Sequence, residues 1–181
     1  MDCYPPSRRA KLRVTITHNH PTRRKIVTLD KMSRSRIKNW NAAACVYVIV
    51  RNLTIQYVGC SSTNFFKRFT AGLGQAHAQG YRWPTTDGHY QLFIWKINKP
   101  RYFVEAVEAE VALLHRAVLG DWPIELSQLS PKRHLVHPEA SAFGKRLAFG
   151  IYIWLASKEH IVFAKDDLVF IEELWKRSIV C

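Results

Sequence analysis

Residues 45–59 read Cys45-Val46-Tyr47-Val48-Ile49-Val50-Arg51-Asn52-Leu53-Thr54-Ile55-Gln56-Tyr57-Val58-Gly59. Both ends of this stretch are rich in β-branched and aromatic residues, which fit the pleated surface of a sheet. A short polar segment separates the two apolar runs and leaves room only for a turn. The stretch therefore predicts a tight β-hairpin with strands at residues 45–50 and 55–59.

The chain after this hairpin predicts the rest of a small core. Residues 64–70 follow a cluster of helix-capping residues and predict the first turns of a helix. Residues 90–97 alternate apolar and polar side chains and predict a third strand. Residues 103–119 carry valine and leucine at three- and four-residue steps, which predicts an amphipathic helix ended by Gly120 and Pro123. We expect an α+β (α/β) core at residues 44–125, with a small central antiparallel sheet of about three strands flanked by helices.

The flanking segments predict appendages to this core. Residues 12–17 and 25–29 predict a hairpin within a basic N-terminal arm at residues 1–43. Residues 151–155 and 161–163 predict a second hairpin, and a final helix is expected to begin at Asp166 or Asp167. These last elements form a C-terminal extension at residues 126–181 that packs on the core. They could complete the sheet or mediate a homodimer.

The positive charge of the chain is concentrated near its start. The net charge is +13, and residues 1–38 contain eleven Lys or Arg against two Asp. A basic arm joined to a nearly balanced globule is typical of proteins that bind nucleic acid. A solubilising basic surface or attachment to anionic lipid would give the same charge, and both alternatives remain open.

The composition indicates a protein of the cytoplasm. No apolar run is long enough to cross a bilayer, and the first residues lack the apolar stretch of a signal peptide. The four cysteines form no CxxC pair, which argues against a zinc ribbon. We therefore expect an intracellular protein with reduced thiols and no membrane partner.

One acid of the long helix, Glu110, is distinguished by its position. At about 100° per residue, Val107, Val111 and Leu114 cluster in one sector, and Glu110 falls roughly 60° from its centre. An acid placed there is half-buried, and half-buried acids usually have a partner. The partner could be a single Mg²⁺ held by one carboxylate, water and a substrate phosphate, or an arginine at the edge of the core.

Three further residues have the chemistry that phosphodiester hydrolysis requires. Tyr47 and Tyr57 lie on neighbouring predicted strands, and Arg68 follows on the predicted helix. Such a reaction needs a group that orients or deprotonates water and a group that stabilises the growing charge on phosphate. Phenols and a guanidinium are able to fill these roles.

Together these segments resemble the GIY-YIG nuclease family. Cys45-Val46-Tyr47 is similar to its first motif, Tyr57-Val58-Gly59 to its second, and residues 64–69 to its arginine helix. Residues 105–110 are similar to the glutamate helix of the excision-repair nuclease domain. The resemblance implies a Mg²⁺- or Mn²⁺-dependent endonuclease. It makes Tyr47 the general base or water-orienting phenol, Tyr57 a positioning group, Arg68 the phosphate ligand and Glu110 the metal ligand.

The sequence departs from the family pattern at several points. Cys45 replaces the first glycine, and Gly72 stands where the family often has a helical histidine. His77 and His89 are the candidate substitutes for that histidine. The late family asparagine has no counterpart after Asn98. A second triplet, residues 150–152 (Gly-Ile-Tyr), has no following partner motif and is interpreted as chance.

We expect double-stranded DNA as the substrate. Sequence-specific, restriction-like cutting and a mobile-element or repair role are equally open, and RNA is a further open alternative. Phosphate contacts are expected from basic residues of the arm, the arginine helix and the loop after it: Arg13, Arg23, Arg24, Lys25, Arg34, Arg36, Lys67 and His77. Two non-enzymatic alternatives remain: a nucleic-acid-binding protein with a degenerate site, and a structural protein that uses the fold for assembly.

Overall fold

The computed structural model describes residues 9–19, 24–29, 44–62, 65, 88–123, 137–158, 160–162, 169–171 and 173, with the first two segments described as backbone strands. The elements are β1 (Arg9–Asn19), β2 (Arg24–Leu29), β3 (Cys45–Arg51), β4 (Thr54–Ser61), β5 (Gly88–Lys96), α1 (Arg101–Leu119) and α2 (Pro138–Ser157). The five strands form one sheet in the order β2-β1-β5-β3-β4, and all neighbouring strands are antiparallel.

This architecture confirms the predicted α+β fold, in which β3, β4 and β5 are the three expected strands. The N-terminal hairpin does not project as an arm, because β1 pairs with β5 from Arg9↔Trp95 to Ile16↔Gly88 and so continues the sheet. Of the predicted helix at residues 64–70, only Phe65 is described; it is helical and fully buried.

The β3–β4 hairpin is closed by a two-residue turn with an unusual second residue. Asn52 and Leu53 have positive φ values of 50° and 60°, which suit the right-handed twist of a two-residue hairpin. The left-handed conformation costs a side chain such as Leu53 roughly 1–2 kcal/mol. The Leu53 carbonyl accepts a hydrogen bond from the Val162 N–H at 3.1 Å, which ties the turn to the C-terminal segment.

The central strands β3, β4 and β5 are buried on both faces. Strand alternation divides their side chains between two surfaces. One, the tyrosine face, carries Tyr47, Ile49, Tyr57, Leu92 and Ile94. The other, the helix face, carries Val46, Val48, Val58, Phe93 and Trp95 and forms a single core with α1 and α2.

Helix α1 matches its prediction closely, beginning two residues earlier than expected and ending at the expected residue. Gly120 follows it with φ 81° and donates its N–H to the Arg116 carbonyl at 2.9 Å, a left-handed cap that favours glycine. Val104, Val107 and Val111 are fully buried against the helix face.

The predicted C-terminal hairpin is wrong in its first strand, because residues 151–155 lie within helix α2. Gly144 is buried so closely against α1 that a Cβ atom there would lie 2.9 Å from the backbone carbon of Ala106. Ile151, Tyr152 and Leu155 join the core of the helix face. The Gly-Ile-Tyr triplet at 150–152 is therefore a stretch of helix. Of the predicted final helix, residues 169–171 and 173 are described and are helical.

The two helices run parallel, with their N-termini at the same end. Tyr102 near the start of α1 stacks on His137 at the N-cap of α2, with 4.4 Å between ring centroids. Further along, the Tyr152 hydroxyl lies 3.5 Å from Nδ1 of the buried His115. Neither helix, nor any other helical segment within the described ranges, is both long and apolar enough to cross a membrane.

Candidate active site

The register of β3 and β4 brings the two motif tyrosines together on the tyrosine face. Tyr47 pairs with Gly59, and Tyr57 lies two positions before that glycine on the same face. The two rings stack with centroids 6.0 Å apart and planes at 26°. Phe65 meets the Tyr47 ring edge-on at 5.3 Å. Both phenols are buried, with exposed fractions of 1% for Tyr47 and 4% for Tyr57.

Gly59 is the residue that makes this tyrosine pair possible. A Cβ atom at that position would lie 2.5 Å from Cζ and from the hydroxyl oxygen of Tyr47. It would also lie 2.6 Å from Cε1 of Tyr57. Real Cβ atoms do not approach other atoms so closely, so the glycine of the second motif is required by the packing of both rings.

Glu110 occupies the half-buried position that its place on the helix predicted. Burial raises the pKa of this carboxyl group, and the nearby Lys145 ammonium on α2 partly opposes the rise. Its carboxylate makes no hydrogen bond or salt bridge with another described residue. A half-buried carboxylate of this kind is chemically suited to a hydrated Mg²⁺, which commonly takes one or two carboxylates and completes its shell with water and phosphate oxygens.

The helix that carries Glu110 lies on the other side of the sheet from the tyrosines. Val104 and Val107 of α1 pack with Val46 and Val48 on the helix face. No hydrogen bond or salt bridge among the described residues joins Glu110 to either tyrosine. The described part of the chain also contains no group of three or more His, Cys, Asp or Glu side chains able to hold a metal ion. The structure therefore brings together two of the four predicted catalytic residues.

The other predicted site residues fall into two groups. Arg13, Arg24 and Lys25 lie on the strands β1 and β2. The remaining ones lie outside the described residues: Arg23, Arg34, Arg36, Lys67, Arg68 and His77. His89, considered as a substitute for the family histidine, is exposed and alternates with Tyr90, which places it on the face opposite to the tyrosines.

Comparison with known proteins identifies no relative of this chain. No protein-family model matches the chain, and no curated protein or solved structure matches it. The resemblance to GIY-YIG nucleases therefore rests on the motif residues of the chain itself.

The structure shows a cation on the tyrosine face that the motif comparison did not select. Arg51 is the last residue of β3, and its Nη1 donates a hydrogen bond to the Tyr90 hydroxyl at 3.0 Å. Its guanidinium carbon lies 5.2 Å from the centroid of the Tyr90 ring. Gly88 leaves room for this group, since a Cβ there would meet the guanidinium at 3.0–3.2 Å. Arg51 was hard to identify from the sequence, because an arginine beside a turn usually indicates only a solvated end of a strand.

Arg51 is too distant from Tyr47 to share one phosphate with it. Four residues along a strand span roughly 13 Å. A phenol and a guanidinium that grip the same phosphate must both approach its oxygens to hydrogen-bonding distance. Arg51, whose guanidinium is bonded to Tyr90, is therefore separate from the tyrosine pair.

The buried thiol of Cys45 is excluded as a nucleophile. Burial raises its pKa to about 12, and a backbone hydrogen bond with Ser61 opposes the rise only in part. Thiolate, and not thiol, is the reactive form. The replacement of the first family glycine by cysteine therefore adds a packed residue to the strand and no second reactive group.

Proposed function

We propose that this protein is a metal-dependent nuclease of the GIY-YIG type that hydrolyses phosphodiester bonds of double-stranded DNA. The observation that carries the proposal is the stacked pair of Tyr47 and Tyr57 around Gly59. The two motifs are separated by nine residues in the sequence, and the hairpin register joins them on one face, as a shared site requires.

The roles of the four residues follow from the resemblance and their chemistry. The Tyr47 phenol would orient or deprotonate the attacking water, and Tyr57 would position the phosphate. Arg68 would stabilise the charge that develops on the phosphate oxygens. Glu110 would hold one Mg²⁺ or Mn²⁺, which polarises a phosphate oxygen when it is bound.

A second candidate function is nucleic-acid binding without cleavage. The observation in its favour is the near-complete burial of both phenols, since a general base must come within hydrogen-bonding reach of the water it activates. The packing of α1 on the helix face points in the same direction, because it places Glu110 on the side away from the tyrosines. This candidate keeps the basic hairpin as the functional element and assigns the tyrosine pair to the core.

Two glutamates on α1 provide a matched test. Glu110→Gln removes the proposed metal ligand, and Glu105→Gln removes a charge from the same helix at a site where Glu105 pairs with Arg101 at 2.6 Å. Both variants and the wild type are incubated with supercoiled plasmid in Mg²⁺, in Mn²⁺ and in EDTA, with an RNA duplex in parallel. We expect metal-dependent nicking by the wild type and Glu105→Gln, and a loss of about 100-fold or more in Glu110→Gln.

Each outcome of this test selects between the two functions. Cleavage by Glu110→Gln at the wild-type rate would overturn the metal-ligand assignment. Retarded plasmid with no cleavage in either metal would select the binding function. Cleavage of the RNA duplex alone would retain the nuclease and change its substrate.

A further inference from the structure

The register of β1 sorts the basic residues of the N-terminal hairpin onto one face. Arg9 pairs with Trp95, Lys11 with Phe93 and Arg13 with Gln91. Directly paired residues of an antiparallel ladder lie on the same face of the sheet. The three cations therefore occupy helix-face positions, beside the two aromatic residues that form the core under α2.

The opposite face of the same hairpin is apolar except at its turn end, where His18 pairs with Lys25. Leu12 pairs with Leu92, Val14 with Tyr90 and Ile16 with Gly88, so these positions continue the tyrosine face. On β2, Val27 and Leu29 pair with Ile16 and Val14 and extend it further. Because the strand period is two, the apolar and the basic positions of β1 are completely separated. The apolar positions explain why the hairpin joins the sheet, and the basic positions are left to be explained.

The helices do not account for the basic face. Helix α1 packs on β3, β4 and α2, and neither helix packs extensively on β1 or β2. Trp154 of α2 covers β5 instead, with its ring centroid 5.7 Å from that of Phe93 and 5.9 Å from that of Trp95. The two-stranded extension thus carries its cations on the helix side of the sheet, next to the part of the sheet that α2 covers.

The spacing of these cations suits a polyanion better than a single anion. Alternate residues of a strand are roughly 6.7 Å apart, so the three basic positions are evenly spaced along the backbone of β1. None of the helix-face positions of β1 or β2 is acidic, and Arg24, paired with Asn19, adds a fourth cation on that face. A regular row of cations matches the regular row of phosphates along a nucleic-acid strand.

We propose that Arg9, Lys11 and Arg13 form a phosphate-binding row that holds the backbone of duplex DNA against the helix side of the sheet. Arg9 and Lys11 are thereby added to the binding residues expected from the sequence. Under this proposal Lys25, which the sequence also predicts to contact phosphate, lies outside the row, because it pairs with His18 on the other face. The proposal rests on nucleic acid being the partner of this protein and does not require that the protein cleaves it.

Lys11 and Lys25 allow a matched test of this row. Lys11→Gln and Lys25→Gln each remove one positive charge from the same hairpin, on opposite faces of the sheet. The full chain and both variants are titrated onto a fluorescent 30-base-pair duplex in EDTA at several salt concentrations. We expect Lys11→Gln to weaken binding by about three- to tenfold and to lower the salt slope by about one phosphate contact. Lys25→Gln should bind within about twofold of the wild type.

Two further arms make the result decisive. The triple variant Arg9→Gln, Lys11→Gln, Arg13→Gln should lose more affinity than Lys11→Gln and lower the salt slope by about three contacts, with an unchanged melting temperature as the check on folding. Vesicles of phosphatidylcholine and phosphatidylserine are titrated in parallel. Equal losses in Lys11→Gln and Lys25→Gln, no loss in either, or tighter binding to vesicles than to DNA would each overturn the row.

The same samples separate this proposal from the nuclease proposal. When Mg²⁺ is added, face-specific binding without cleavage retains the phosphate row and rejects the nuclease. Cleavage with no difference between the two lysine variants retains the nuclease and rejects the row.

Discussion

The two faces of the central sheet are equally buried and differently built. The helix face is filled by aliphatic and aromatic side chains that interlock with α1 and α2, and packing alone explains them. The tyrosine face buries two phenols against a glycine that their rings require, with the Arg51–Tyr90 pair farther along the same face. Aliphatic residues would fill that space without the desolvation cost of hydroxyl groups. Burial therefore identifies the fold, whereas the kind of group that is buried identifies the candidate site.

The largest expected effect lies in the helix layer, at His115. Burial lowers the pKa of this histidine to about 4 from 6.5, and the Asp121 carboxylate opposes the change only in part. The unfolded chain therefore binds the proton more readily, so this stability is present above about pH 6.5 and is lost as the pH falls to about 4. We expect His115 to contribute a loss on the order of 3 kcal/mol between pH 7 and pH 4, which the raised pKa of Glu110 offsets in part. Urea unfolding at a series of pH values measures it.

Two histidine variants control this prediction. His115→Gln should remove most of the pH dependence in this window, since glutamine can still bond to Tyr152 but does not titrate. His89→Gln, at an exposed position of β5, should leave the dependence intact. A His115→Gln variant whose stability varies with pH in the same way as that of the wild type would contradict the assignment.

Two glycines, Gly59 on the tyrosine face and Gly144 between α1 and α2, test whether the two layers contribute independently to stability. Gly59→Ala forces an atom into the tyrosine pair, and Gly144→Ala forces one into the Ala106 backbone. We expect each to cost about 1–3 kcal/mol in the free energy of unfolding. In a Tyr47→Ala background the cost of Gly59→Ala should shrink by about 1 kcal/mol or more, while that of Gly144→Ala stays the same. If the Tyr47→Ala background changed the cost of both glycine substitutions equally, the two layers would not be independent.

The smallest expected effect concerns the turn that joins the two central strands. Leu53→Gly removes the cost of a left-handed leucine, but glycine loses more conformational entropy than leucine when the chain folds. We therefore expect a net gain of about 0.5 kcal/mol in the free energy of unfolding. Thermal unfolding should show a rise of about 1–2 °C. A fall would mean that the Leu53 side chain, although 44% exposed, contributes more to packing than its backbone costs.

The elements with a clear period were predictable from the sequence, and those that depend on small residues were not. The β3–β4 hairpin, β5 and α1 carry β-branched alternation or a valine stripe and were predicted to within two residues at each end. The first strand of the C-terminal hairpin failed because Ile151, Tyr152 and Ile153 favour strands locally. The helix that contains them packs closely on α1 where Gly144 meets Ala106. A contact between such small residues is not visible in a hydrophobic pattern.

The order of the candidate site residues along the chain was predictable from the sequence, but their three-dimensional arrangement was predictable only in part. Spacing indicated that Tyr47 and Tyr57 share a hairpin, and helical geometry indicated a half-buried Glu110. The β3–β4 register sets Gly59 opposite Tyr47. The packing of α1 on the helix face places that helix across the sheet from both rings. Which face of the sheet α1 covers depends on tertiary packing, so the separation of Glu110 from the tyrosines could not be deduced from the sequence.

The most direct test of the nuclease is the phenol of Tyr47 itself. Tyr47→Phe keeps the ring that packs on Gly59 and Phe65 and removes only the hydroxyl group. Plasmid cleavage in Mg²⁺ is measured beside DNA affinity and melting temperature. We expect affinity and melting temperature close to wild type and a loss of cleavage of about 100-fold or more. A folded Tyr47→Phe protein that cleaves at the wild-type rate would contradict the assignment of the tyrosine face as the active site.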